Sequence, residues 1–354
     1  MLIYVLLYLL IIFGSYVIYK GSKQKNRNRN VAVFCSASII TVLALRHPSM
    51  GIDLHYGEQI GYLFSYHDIA EMPWSKVFGD PYLNYEKGYV IFNKLLHYVF
   101  PHEQFLLIAC ALLSIIPVCV FLYRNSLSMR MSLIIYMALP IFTFVFSGLR
   151  QAIAIGIACI AIKLAYERKL LKFVVAVSIA LLFHITSIFL LVMYPLMNIK
   201  FKMFHRWLSL VLLGGIFVFK AQIFKIGVAL IGKNAKPDNN GAVTFFLILT
   251  AIYVVCFMFS DRTRKTEGFL NLLFVACAIQ AMGGVHNTVG RGAYYFMPVI
   301  AVLIPNIVMR IKPAFERKCV KVGVTAVFVS YGLFSLANTY WAMANPYHFF
   351  WEVI

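Results

Sequence analysis

Six side chains in this apolar sequence have the chemistry to hold an anion or move a proton: Arg46, Arg150, Arg291, Asp53, Glu86 and His184. A guanidinium presents a rigid fork of donors that matches phosphate oxygens. The three arginines stand at the outward ends of apolar segments, against the bias that keeps cations on the cytoplasmic side. Together they predict a phosphate or pyrophosphate held at the membrane surface; singly, each also fits a side chain snorkelling to the headgroups. Arg150 and Gln151 follow Gly148 in the first turn of an apolar helix, whose free N–H groups add to the attraction for an anion. Asp53 follows Arg46 by seven residues across Pro48 and Gly51, and Glu86 stands where the chain re-enters apolar sequence. Either carboxylate could serve as general base, or Glu86 could merely cap the helix that follows it. His184, inside an apolar segment and with Ser187 at i+3, is a base, a donor to a sugar hydroxyl, or a side chain bonded to a neighbouring carbonyl.

The elements that must position these groups are membrane helices. Apolar residues make up 62% of the 354 and the mean hydropathy is +0.81, and several runs approach the ~20 residues that cross a hydrocarbon core. The net charge of +19 is spread in short clusters between apolar runs, which the positive-inside bias explains without nucleic acid. The seven cysteines lie in or beside apolar segments with no pairing or metal-ligand spacing. Seven of the thirteen acidic residues fall between Arg46 and Glu103, so this interval is the expected home of the site.

Met1–Tyr19 is followed, not preceded, by a basic cluster, and so reads as an anchor with its N-terminus outside. Val31–Leu45 returns outward and opens the polar interval 46–103. Within it, Gly88–Phe100 has the length of an interfacial or re-entrant helix, and Trp74, Tyr82, Tyr85 and Tyr89 fit an aromatic belt at the headgroups. Further crossings are expected at Phe105–Tyr123, Met131–Ser147, Gly148–Tyr166, Phe173–Pro195, Ala242–Ser260, Phe269–Gly284, Ala293–Met309 and Val322–Asn338, with the C-terminus outside. Asn198–Gly241 fits a re-entrant pair or two more spans. The expected fold is thus an all-α integral membrane protein, one polytopic bundle of 10–12 transmembrane helices over residues 1–354.

Phosphate-loop, nucleophile-elbow, HExxH and CxxC patterns are absent, as is D-x-D, so no metal or other cofactor is expected and the arginines would supply charge stabilisation. The succession Arg46-x4-Gly51-x-Asp53-x2-Tyr56, Glu86-x-Gly88-Tyr89, Gly148-x-Arg150-Gln151, Phe183-His184-x2-Ser187 and Arg291-x2-Tyr294 resembles the EpsG-like family of Wzy-type bacterial polysaccharide polymerases. The resemblance covers about Met1–Pro195 and, more loosely, Ala242–Ile354. It implies a lipid-carrier glycosyltransferase-like fold in the bacterial cytoplasmic (inner) membrane, with the site facing outward. It also implies a substrate, an oligosaccharide on undecaprenyl pyrophosphate brought by a flippase, and a chain-length regulator as a further partner. Transfer of the growing glycan to the non-reducing end of an incoming unit would then use Arg150 and Arg291, supported by Arg46, on the pyrophosphate. Asp53, then Glu86, then His184 would be the base, and Tyr56, Tyr89, Gln151 and Tyr294 would line the sugar channel. A membrane O-acyltransferase would lean on His184 alone. A transporter or flippase for lipid-linked sugars would show polar residues along a path and a repeat between halves; neither is visible.

Overall fold

The computed structural model describes residues 1–55, 61–77, 85–231 and 243–353. The chain is nearly all helical, 81%, with no strand among the described residues, as expected where backbone groups must be satisfied within the membrane. It is an all-α polytopic membrane protein. Among the described residues, four helices are long and apolar enough to cross a bilayer: Leu2–Gly21, Gln104–Asn125, Leu149–Tyr166 and Ala314–Asn338. Three bent pairs raise that number to seven if each is one span, and Leu170–Phe183, Ile185–Leu196 and Val243–Phe259 are shorter apolar helices.

Three of the expected crossings are broken, while Val31–Leu45, Ala242–Ser260 and Phe269–Gly284 form the unbroken helices Arg27–Ala44, Val243–Phe259 and Arg264–Met282, none of them among the four. Met131–Ser147, expected as one span, is Met129–Ala138 followed by Pro140–Phe146 at 70°. Pro140 drives Leu139 out of the α region, to φ −76°, ψ 149°, because its ring crowds the preceding residue. Phe173–Pro195 is likewise broken: the Leu170–Phe183 helix ends, His184 is extended at φ −156°, ψ 121°, and a tighter helix runs over Ile185–Val192. The third expected span, Ala293–Met309, bends by 44° between Tyr295 and Met297, just before Pro298. In the region left open between two readings, Met203–Val218 and Lys220–Ala229 meet at 71°.

The polar interval is docked on the bundle. Its Lys87–Val99 helix buries Tyr89, Val90, Asn93 and Lys94 and exposes Leu95, Tyr98 and Val99. Lys94 reaches the carbonyls of Ile69, Ala70 and Met72, where the Tyr62–Glu71 helix ends and free C=O groups attract a cation. A second apolar core, including Leu54, Tyr62, Tyr66, Tyr89, Leu106 and Leu149, joins this interval to the long helices. Trp74 is exposed as an interfacial residue would be, but Tyr89 is wholly buried and Tyr85 stacks on Tyr62. Those two tyrosines belong to the packed interior of the docked interval rather than to a headgroup belt; Tyr82 lies outside the described residues.

The two chain ends meet, and the C-terminal tail reaches the start of this interval. Tyr4 donates to the Ala344 carbonyl and the Met1 amine to Asn345. Arg46 forms an antiparallel bridge with Phe349. Six cysteines are buried and all seven are free thiols.

Candidate functional site

The site is assembled on the turn Phe144–Gly148, where the bent pair ends and the Leu149–Tyr166 helix begins. The segment 46–55 is clamped onto that turn. Arg46 donates from Nη1 to the Val145 carbonyl and from Nη2 to the Phe146 carbonyl, both at 3.2 Å, with its guanidinium over the Phe146 ring at 4.9 Å. Gly51 has φ +121°, and a Cβ there would lie 2.0 Å from the Phe146 carbonyl oxygen, so only glycine fits. The Asp53 N–H then donates to Ser147 Oγ at 3.2 Å. Arg46 is 1% exposed. Its terminal nitrogens, expected to support Arg150 and Arg291 on a pyrophosphate, are here engaged by carbonyls, and it holds the turn from behind.

Glu86 stands at the N-cap position of the Lys87–Val99 helix without capping it. Its Oε2 pairs with Arg150 Nη1, and its Oε1 accepts from the Ile185 N–H at 2.8 Å. That N–H is available because the helix stops at Phe183. Gly88 brings the two helices close enough: a Cβ on it would lie 2.4 Å from Leu182 Cβ. Arg150 donates from Nε to Tyr62 Oη at 3.1 Å and lies over the rings of Tyr85 at 4.6 Å and Tyr62 at 5.7 Å, a cation–π cradle that fixes the guanidinium plane. Burial pushes the Tyr62 phenol up to about 12, so it stays neutral and accepts from the cation.

His184 is not in the middle of a helix, as the apolar run suggests, but at the break. Its Nδ1 accepts from the Thr186 N–H at 3.3 Å and lies 2.7 Å from Thr186 Oγ1. Thr186 Oγ1 is 2.9 Å from Tyr295 Oη, which also accepts from Ser187 Oγ at 3.2 Å. The charges of Glu86, Arg150 and Arg291 all act on the His184 ring. Arg291, at the end of the short Asn287–Arg291 helix, lies over Phe144 at 5.3 Å, and Gln151 Nε2 donates to its carbonyl at 2.9 Å.

The structure therefore gathers Glu86, Arg150, His184 and Arg291, with Asp53 close enough that its charge acts on Tyr62 and Tyr85. Two of the four residues expected along a sugar channel are closed off: Tyr89 is 0% and Gln151 1% exposed, and both brace their neighbours. Tyr294 packs half-buried on Phe144 at 5.3 Å, and Tyr56 lies outside the described residues. Sequence reasoning missed Tyr62, Tyr85, Thr186 and Tyr295 as partners. The Tyr294–Tyr295 doublet beside Arg291 was the one available signal, and nothing in spacing ties Tyr62 to Arg150 across 88 residues.

Matched against known families, the EpsG family model covers residues 29–349. The chain belongs to the EpsG family. The matched range contains every residue of the cluster and also the stretch 198–241, which the motif resemblance left uncovered. No curated protein and no solved structure matches the chain. Membership in the EpsG family, with the apolar helices, suggests a membrane protein of polysaccharide biosynthesis with a polymerase or glycosyltransferase type of activity.

Proposed function

We propose that this EpsG-family chain polymerises a bacterial surface polysaccharide, moving a glycan from undecaprenyl pyrophosphate to the non-reducing end of an incoming lipid-linked repeat unit. The observation that carries the reading is the pairing pattern in the cluster. Glu86 answers the charge of Arg150, while Arg291 and Asp53 have no ionic partner among the described residues. A cation without a counter-ion and a carboxylate without a donor are what an anionic leaving group and an acceptor hydroxyl require.

In the proposed step the acceptor oxygen attacks the anomeric carbon of the donor sugar, and the bond from that carbon to the pyrophosphate oxygen breaks. The hydroxyl proton passes to Asp53, and undecaprenyl pyrophosphate leaves as an anion held by Arg291 and Arg150. Glu86, with both oxygens engaged, orients Arg150 and the Ile185 backbone. Because His184 Nδ1 accepts from a backbone N–H, the neutral ring carries its proton on Nε2. His184 is then a donor to a sugar or phosphate oxygen more than a base.

The protein would lie in the bacterial cytoplasmic membrane with the cluster and both termini facing outward, supplied by a flippase and limited by a chain-length regulator. A gel of surface polysaccharide from a deletion strain tests the reading. The expected result is outward-facing single repeats in place of a ladder, restored by the wild type but not by Arg291→Ala or Asp53→Asn at equal membrane levels. An undisturbed ladder in the deletion strain refutes the proposal, and inward-facing units would indicate a flippase instead.

A further inference from the structure

At the end of the bundle away from the cluster, the Gln104–Asn125 and Leu149–Tyr166 helices flank a cavity. Before Pro117 they touch: Gly156 lies against the backbone of Leu113 and Ser114. Pro117 cannot donate to the carbonyl four residues back, which bends a helix or loosens it locally. From there to the helix ends the two are divided by a cavity of about 590 Å³. The cavity runs from Ile116 to Arg124, roughly 12 Å at the rise of an α-helix. Ile116, Val120 and Ile160 line it and are also exposed on the surface, so it opens sideways toward the surrounding hydrocarbon. Its polar mouth carries Arg124, Lys163 and Lys265, from the ends of three helices.

The mouth has more positive charge than its own carboxylate answers. Glu167, also at the mouth, is engaged by Lys163 at 3.6 Å and by Lys169 at 2.6 Å. Lys265 lies over the Tyr166 ring at 5.5 Å and shares the charge of the same Glu167. Arg124 has no hydrogen-bonded or ionic partner among the described residues. An apolar slot with exposed apolar walls, crowned by three cations and one shared carboxylate, matches an amphiphile with an acyl chain and an anionic phosphate head. We infer that this cavity is a binding site for an anionic phospholipid of the surrounding bilayer, separate from the Arg150 cluster and independent of the reaction proposed there.

The experiment uses the full chain in uncharged detergent, with native mass spectrometry and thermal unfolding in the presence of phosphatidylglycerol, phosphatidylcholine of the same chains, or inorganic phosphate. Phosphatidylglycerol should remain bound and raise Tm, whereas phosphatidylcholine and phosphate should not. Arg124→Gln and Lys265→Gln should each weaken phosphatidylglycerol retention about fivefold; neither side chain makes an ion pair, so the fold is kept. Val120→Trp, which fills the slot and leaves every charge in place, should abolish the retained lipid. Equal retention of the two lipids, retention untouched by all three variants, or the same Tm gain from inorganic phosphate alone would overturn the assignment.

Discussion

Among the described residues, arginine–glutamate pairing occurs at opposite ends of this bundle, at Glu86 and at Glu267, and the two places are built differently. Arg206–Glu267 is sealed, both side chains 2% exposed, with Nη2 2.7 Å from the carboxylate. The guanidinium also meets Asn271 at 2.6 Å, Tyr253 and the Glu267 carbonyl at 3.3 Å and the Phe201 ring at 5.3 Å, while Arg262 approaches the other carboxylate oxygen at 2.6 Å. Arg150–Glu86 is partly open, 20% and 16% exposed, and lies among aromatic rings, broken helices and two unpaired charges. A pair closed to solvent and held between two helices is a joint: it ties the Met203–Val218 helix to the start of Arg264–Met282. A pair left open on one side has charge remaining for something that is not part of the chain. The difference separates structural from functional ionisable residues better than residue type does, since both pairs consist of the same two amino acids.

Mutations can break or sharpen that comparison. The largest effect on folding is expected at the sealed pair. Glu267→Ala leaves a buried guanidinium without its counter-ion and should cost about 3–5 kcal/mol, read as a fall in Tm and in monodisperse yield, with polymer length per folded molecule unchanged. A normal Tm with a lost ladder would place function at the wrong end. Arg291→Ala should do the reverse, slowing polymerisation about 10²–10³-fold while stability stays within about 0.5 kcal/mol, as measured by in vitro chain extension alongside thermal unfolding. Glu86→Gln should affect both, since it weakens the hold on Arg150. A stability loss of about 1–3 kcal/mol with shortened chains is expected, and a pure stability effect would reduce this pair to a second joint. The smallest effect belongs to Tyr295→Phe, which removes one neutral hydroxyl from the Thr186–His184 network. It should slow extension about fivefold, corresponding to about 1 kcal/mol, with no change in Tm.

How much of this was legible beforehand varies residue by residue. Pro140 and Pro298 are visible in the sequence, yet the apolar runs that contain them are long enough to read as continuous spans, so the bends beside them were missed. At His184 no proline or glycine marks the break; the histidine ring itself caps the tighter helix by accepting the Thr186 N–H. The glycines of the motifs could be flagged as turns, but their reason is contact: Gly51 lies on the Phe146 carbonyl and Gly88 on Leu182. Arg206 was passed over because a basic residue near a helix start draws no attention until its partner, 61 residues away, is packed against it.

Composition and the spacing of apolar runs were enough to determine that the protein is an all-helical membrane protein. The order of short polar motifs was enough to place it in its family, because hydrophobicity and local residue type are properties of the chain read in one dimension. Which arginine is free was settled only in three dimensions. Arg46, Arg150, Arg206 and Arg291 carry the same charge in the sequence. Whether that charge is met by carbonyls, by a carboxylate or by nothing depends on which distant segment each helix end meets when the bundle packs.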